Sequence, residues 1–128
     1  MSECHCGKKV SYEDCCEPLI NGSQMASSAE QLMRARYSAY VTASIDFLHD
    51  SLHPDSRDDF DFDSTKKWAE GSTWHQLSIL GTKAGQEQDK VGSVEFIAAY
   101  TDEEENDHRH CERSPFKKVE DQWLFCDG

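Results

Sequence analysis

Four of the six cysteines of this chain fall within one run, Cys4-His5-Cys6-Gly7-Lys8-Lys9-Val10-Ser11-Tyr12-Glu13-Asp14-Cys15-Cys16. No other stretch limits the fold as tightly. A Cys-x-Cys turn presents one pair of thiols, the next eight residues let the chain return, and the Cys-Cys step presents a second pair. Four thiolates surround Zn²⁺ tetrahedrally at about 2.3 Å, and a set that fills every coordination position is structural. Gly7 suits the tight turn directly after Cys6. A disulfide framework calls for an oxidising compartment, to which nothing in the chain points. Adjacent Cys15 and Cys16 would bond each other only with strained geometry. Inert thiols would not gather so densely in a polar stretch. Cys4, Cys6, Cys15 and Cys16 are therefore the expected ligands of one metal ion, with zinc favoured because soft sulfur donors select it over oxygen-preferring cations. An iron–sulfur cluster also takes four cysteines, but such compact pairs suit a single small ion. His5, between two ligands, is the alternative donor to Cys16.

The Cys-x-Cys-x8-Cys-Cys pattern resembles the SEC-C motif, the zinc knuckle at the C-terminus of the bacterial preprotein-secretion ATPase. In the usual form the second cysteine is followed by Gly-Ser-Gly-Lys. Here it is followed by Gly7-Lys8-Lys9-Val10, a departure in the turn that leaves the ligands unchanged. Tyr12 keeps the aromatic residue before the last pair.

Thiolate ligands persist under reducing conditions, which points to the cytoplasm. The N-terminus shows no basic segment followed by an apolar one, so no signal peptide is expected. No apolar run approaches the length of about 18 residues that a spanning helix needs. The net charge is −12 over 128 residues. Four thiolates less one dication add two negative charges, which takes the loaded protein to about −14. Phosphate backbones are bound through basic patches, so nucleic acid is not the expected partner. A protein partner or a small ligand is.

The chain suits one modest domain with a small appendage. Residues 1–22 read as the zinc knuckle and its exit, with Glu17-Pro18 and Asn21-Gly22 as turn signals. Residues 23–128 read as a second unit. Its core draws on six Phe, four Tyr and three Trp, because the hydrophobic fraction is only 37%. A helix starts near Ser27 or Ser28, each followed by Glu or Gln at capping-box spacing. Ala29, Leu32, Met33, Tyr37, Tyr40 and Val41 then recur with helical period. A short helix is predicted over about 44–51, stopped ahead of His53-Pro54, and another over 64–71, capped by Ser64 and ended by Gly71. The acidic stretch Asp58 to Asp63 lacks the calcium-loop pattern. Phe60 and Phe62 within it are expected on the core. From Trp74 the period becomes two. Strands are predicted around Leu77 and Ile79, over Val94 to Tyr100, over 108–119 and over 122–126, with 82–92 as a polar loop and Glu120-Asp121 as a turn.

Three helices followed by four sequential strands imply an α+β fold: an antiparallel sheet with helices packed on one side. This order resembles the NTF2-like cone. Particular words sharpen the resemblance. Residues 29–40, AEQLMRARYSAY, are similar to the opening helix of the YchJ family. So are His53-Pro54, Gly92-Ser93-Val94-Glu95-Phe96, Glu112-Arg113-Ser114-Pro115-Phe116 and Trp123-Leu124-Phe125-Cys126-Asp127-Gly128. Together with the knuckle they span nearly the whole chain. The resemblance implies a fold and a metal motif, and no established reaction.

A cone of this kind holds a pocket between sheet and helices. His108, His110, Glu112, Ser114 and Phe116 share one face of their strand. Tyr37, Trp68, Trp74, Glu95 and Glu112 are the pocket candidates. An inward Glu is expected either in a buried pair, such as Glu112 with Arg36, or as a general base. Cys111 and Cys126 are expected as small core residues on neighbouring strands. No nucleophile, base and orienting group can be read from the spacing. The expectation is a zinc-stabilised binding or adaptor protein with a pocket for a small ligand or peptide. An NTF2-like enzyme using a pocket carboxylate is the alternative.

Overall fold

A computed structural model describes residues 3–58 and 60–126. Met1, Ser2, Asp59 within the acidic stretch, and Asp127 and Gly128 at the end of the last family word lie outside the described residues.

Polar caps decide where the main helices begin. Ser28 accepts a hydrogen bond from Gln31 N (3.1 Å), and Gln31 Oε1 accepts in return from Ser27, the reciprocal arrangement expected of this sequence. Helix α2 runs from Ala29 to Val41 after a short helix α1 (Glu17–Ile20). Helix α3 spans Ile45–Asp50 and helix α4 Phe62–Gly71. The start of α4 differs from the sequence expectation: Asp61, not Ser64, is the cap, and it accepts from Ser64 N at 3.0 Å. A carboxylate at this position also complements the positive helix end. Among the described residues no helix is long and apolar enough to cross a membrane.

Strands β1 (Thr73–Ala84), β2 (Val91–Thr101), β3 (Asp107–Val119) and β4 (Gln122–Phe125) form one sheet in sequence order, with every neighbouring pair antiparallel. The loop expected over 82–92 is shorter, because β1 continues to Ala84 and β2 resumes at Val91. Gly85 turns the chain there with φ 79°. Its carbonyl accepts from Ala29 N at 2.9 Å, and a Cβ at this position would lie 2.9 Å from the Ala29 methyl. The hairpin thus sits on the start of α2. At the β3–β4 turn, Glu120 and Asp121 both take positive φ (51° and 67°), the conformation that two-residue hairpins require.

Two register shifts in β1 decide what faces the helices. Trp74 pairs with Tyr100, Leu77 with Ala98, Ile79 with Phe96 and Thr82 with Val94. The shifts at His75 and Leu80 keep all four β1 residues on one face although Trp74 and Leu77, and Ile79 and Thr82, are three apart. On β3 the same face carries His108, His110, Glu112, Ser114 and Phe116, opposite Tyr100, Ala98, Phe96, Val94 and Gly92.

Helix α2 is covered on more than one side. Leu32, Met33, Ala35, Tyr37 and Ala39 are buried, and so are Arg36 and Ser38. The core joins Phe116, Trp123, Val94 and Tyr37 to Cys4, Cys6 and Cys16 in one cluster. The knuckle is therefore packed onto the cone and shares its interior. Two other expectations change. Cys111 is exposed opposite Ile97, and Cys126 is half-buried with its N–H on Pro115 O. They lie four residues apart along the sheet, about 13 Å, so neither is a core neighbour of the other. Phe60 turns inward, but Phe62 is 45% exposed and packs edge-on against Phe60.

Candidate metal centre and cavity

The cysteine segment folds by local backbone bonds. Cys4 N donates to Val10 O (2.7 Å) and Gly7 N to Cys4 O (3.1 Å), with Gly7 at φ 97°. A 3-10 turn over Tyr12–Asp14 follows, and Cys15 N closes on Tyr12 O at 3.1 Å. This returns Cys15 and Cys16 to the first pair. The four sulfurs lie within 4.8 Å of one another. Cys6 Sγ is 3.7 Å from Cys15 Sγ, which is 3.9 Å from Cys16 Sγ. A tetrahedron of sulfurs at about 2.3 Å from a metal has edges of about 3.8 Å, so the donor set and its spacing fit one ion. Cys4, Cys6 and Cys16 are buried and Cys15 is half-buried. The thiols already compete for protons. The Cys16 thiol beside Cys6 holds it down to about 4, burial pushes Cys15 up to about 12, and the contact with Cys6 pushes Cys16 up. A cation replaces those shared protons when it binds. His5 is exposed, its ring 5.3 Å from that of Tyr12, and it is not one of the converging donors.

Helix α2 holds this centre from below. Ser38 Oγ lies 3.6 Å from Cys4 Sγ, and Arg34 Nη1 donates to Cys6 O at 2.7 Å while its Nε pairs with Glu30 at 2.9 Å.

The other side of α2 faces a cavity of about 440 Å³, within the range of small-molecule sites. Met33, Arg36, Tyr37 and Tyr40 line it from α2, Trp68 from α4, Trp74 and Leu77 from β1, Phe96 and Ala98 from β2, and His110 and Glu112 from β3. On the inward face of β2, Ala98 stands between Phe96 and Tyr100 and lines this space. Trp74 is fixed by its Nε1 donating to Ala69 O (3.1 Å). Trp68 and Tyr40 close on it at ring distances of 5.5 and 5.4 Å. Burial pushes the Tyr37 phenol up to about 12, so it is neutral at physiological pH.

Of the sequence candidates, Tyr37, Trp68, Trp74 and Glu112 reach this cavity together. Glu95 does not. The pleat sends it to the opposite face from its neighbours Val94 and Phe96, where it meets the exposed Arg113 at 3.8 Å. The pair expected between Glu112 and Arg36 is also replaced. Glu112 accepts from Ser114 Oγ and lies 3.5 Å from His110 Nε2. Arg36 donates to Leu48 O (2.8 Å) and Ser51 Oγ, and its guanidinium lies 4.4 Å over the Phe125 ring. His110, Arg36 and Phe60 also line the wall and were not among the pocket candidates. The strand alternation that placed His110 beside Glu112 was the available signal.

The model of the YchJ middle NTF2-like domain matches residues 28–128. A UPF0225 protein of Geobacter sulfurreducens is 49% identical over 125 residues, covering 98% of this chain and 77% of that protein. A UPF0225 protein of Yersinia pestis is 36% identical over 137 residues, covering 100% of this chain and 84% of that one. Among solved structures, a SEC-C motif containing protein from Rhodopseudomonas palustris superposes with a TM-score of 0.90 at 37% identity, covering 99% of this chain and 97% of its own. A SEC-C motif containing protein from Psychrobacter arcticus gives 0.85 at 26%, covering 99% and 81%. An NTF2-like cone that carries a four-cysteine SEC-C cluster on its first long helix, with relatives of this likeness along its whole length, belongs to the YchJ (UPF0225) family.

Proposed function

We propose that this is a zinc-stabilised binding protein of the cytoplasm: the knuckle is a structural unit, and the cone takes a small ligand or a peptide segment without chemistry. The observation that carries the reading is the cavity, a space of about 440 Å³ walled by aromatic rings, with polar groups reaching it from α2, α4 and β3. Such a composition suits recognition. Zinc is the ion of choice for four converging thiolates. When bound it supplies a fixed tetrahedral crosslink, and a full sulfur shell leaves it no substrate position. Cys4, Cys6, Cys15 and Cys16 would hold it. Val10, 47% exposed on the knuckle, is the apolar side chain there that a protein partner could cover.

The placement of Glu112 in the cavity wall favours one second reading, in which it is a general base. Elemental analysis of protein purified without added metal should give one zinc per chain. Native mass spectrometry of the same material should show an unmodified small molecule leaving the cavity. A turnover found by substrate screening and abolished in Glu112→Gln, at unchanged melting temperature, would replace the binding reading with the catalytic one.

A further inference from the structure

The walls of the cavity carry a charge preference. Tyr40, Trp68 and Trp74 form one wall, with ring centroids 5.0–5.5 Å apart, and Trp68 is left 40% exposed despite its size. Aromatic faces are the negative side of the ring quadrupole and attract cations. Two carboxylates line the same space, Glu112 from the sheet and Asp61 from the start of α4. Glu112 is held by the hydroxyl of Ser114, itself 1% exposed. Its other oxygen is 3.5 Å from His110 Nε2, longer than a good hydrogen bond, and so keeps acceptor capacity. Arg36 is the guanidinium among the described lining residues; its Nη1 donates to Leu48 O and Ser51 Oγ at the end of α3, and its face rests on Phe125. The cavity thus offers a ligand two carboxylates and an aromatic wall, beside the hydroxyls of Ser56, Ser64 and Thr65. An anion would meet two carboxylates in a chain of net charge −12.

We propose that the cavity selects an organic cation, a quaternary or protonated nitrogen on an apolar or aromatic body, with its charge held by the Tyr40–Trp68–Trp74 wall and the Glu112 carboxylate. This rests on the cavity being a binding site. A neutral isostere would fill the same volume but would lose the attraction to the rings and to Glu112.

Calorimetric titration of the metal-loaded full chain with three probes separates the two levels. The probes are (4-hydroxyphenyl)trimethylammonium, its uncharged carbon isostere 4-tert-butylphenol, and the anion 4-hydroxyphenylacetate. The cation should bind roughly tenfold or more tightly than the isostere, and the anion weakest. Glu112→Gln, which keeps shape and the Ser114 contact, should cut the cation's advantage several-fold and leave the affinity for 4-tert-butylphenol unchanged. If the isostere binds as well as the cation, the charge preference is overturned and the binding site survives. If none of the three binds, the binding site falls with it. A cation preference that persists unchanged in Glu112→Gln, or that disappears in moderate salt for both proteins alike, would reflect the acidic surface and overturn the assignment to this cavity.

Discussion

The metal centre and the cavity lie on two sides of helix α2. Arg34 and Ser38 hold the cysteine segment, while Met33, Arg36, Tyr37 and Tyr40 line the cavity. The first is made of residues within a short run of sequence, brought together by a turn. The second is made of side chains from α2, α4 and all four strands that no local rule unites. The first is filled by its own donors, and the second is an open space of about 440 Å³. The comparison shows how one buried helix can tie a cysteine-rich element to a preformed pocket. It also shows why the knuckle is not a loose appendage: its cysteines are part of the same core as Phe116 and Trp123.

Metal removal is the strongest way to break this comparison. The crosslink contributes on the order of 10 kcal/mol in isolated zinc-finger peptides; without it the segment keeps its local hydrogen bonds, the Arg34 and Ser38 contacts and the packing of its cysteines on the core. A chelator should strip hydrogen-exchange protection from Cys4, Gly7 and Cys15 while β2 and β3 keep theirs. The shared core should carry a lowered melting temperature into the cone. Acid should act in the same way, because protons compete with the ion for thiolates. Loss of protection throughout the chain in one step would mean that knuckle and cone are a single cooperative unit.

The cavity side should fail at the other end of the pH scale. Burial raises Tyr37 from 10.0 to about 12. A raised folded pKa means the fold favours the neutral phenol. That stability is fully present below pH 10 and is lost as pH rises from 10 through about 12, an effect of about 3 kcal/mol for two units. Denaturant melts of Tyr37→Phe across this window should show a shallower loss than the parent protein. An identical slope would place the alkaline loss elsewhere.

Smaller effects follow from exposure. The Glu112 side chain is 42% exposed and faces His110 at 3.5 Å, so it resembles a surface pair rather than a buried one. Glu112→Gln should change stability by about 1 kcal/mol or less, measured by urea titration. A loss of several kcal/mol would mean that the carboxylate is a structural element of the sheet. Smallest of all should be Glu95→Gln. It removes an exposed pair with Arg113 on the far face, worth a few tenths of a kcal/mol, and should leave the affinity of the cavity for any probe unaltered. A change in that affinity would show that the two faces of the sheet communicate.

The cysteine spacing was enough by itself to anticipate that the four thiols converge, because four donors so close in sequence need only one turn to meet. The α+β class was equally legible, since periods of 3.6 and 2 report which faces are apolar whatever covers them. The cap of α4 was misread by one turn because Asp61 and Ser64 are both good caps, and only the position of the helix on the sheet selects between them. The side on which each glutamate points was beyond the sequence, although its alternation with neighbours was plain. Glu95 looked inward because its strand is apolar on both faces. Val94, Phe96 and Ala98 took the side that α2 and α4 cover, so Glu95 took the other. Trp74 entered the cavity wall only because the register shift at His75 moved it onto the face of Leu77. A one-residue shift reverses every side chain beyond it, and such shifts are set by what the sheet packs against. Convergence of the four thiols is a local property of the chain, whereas the cavity exists only after two helices and four strands have settled against one another.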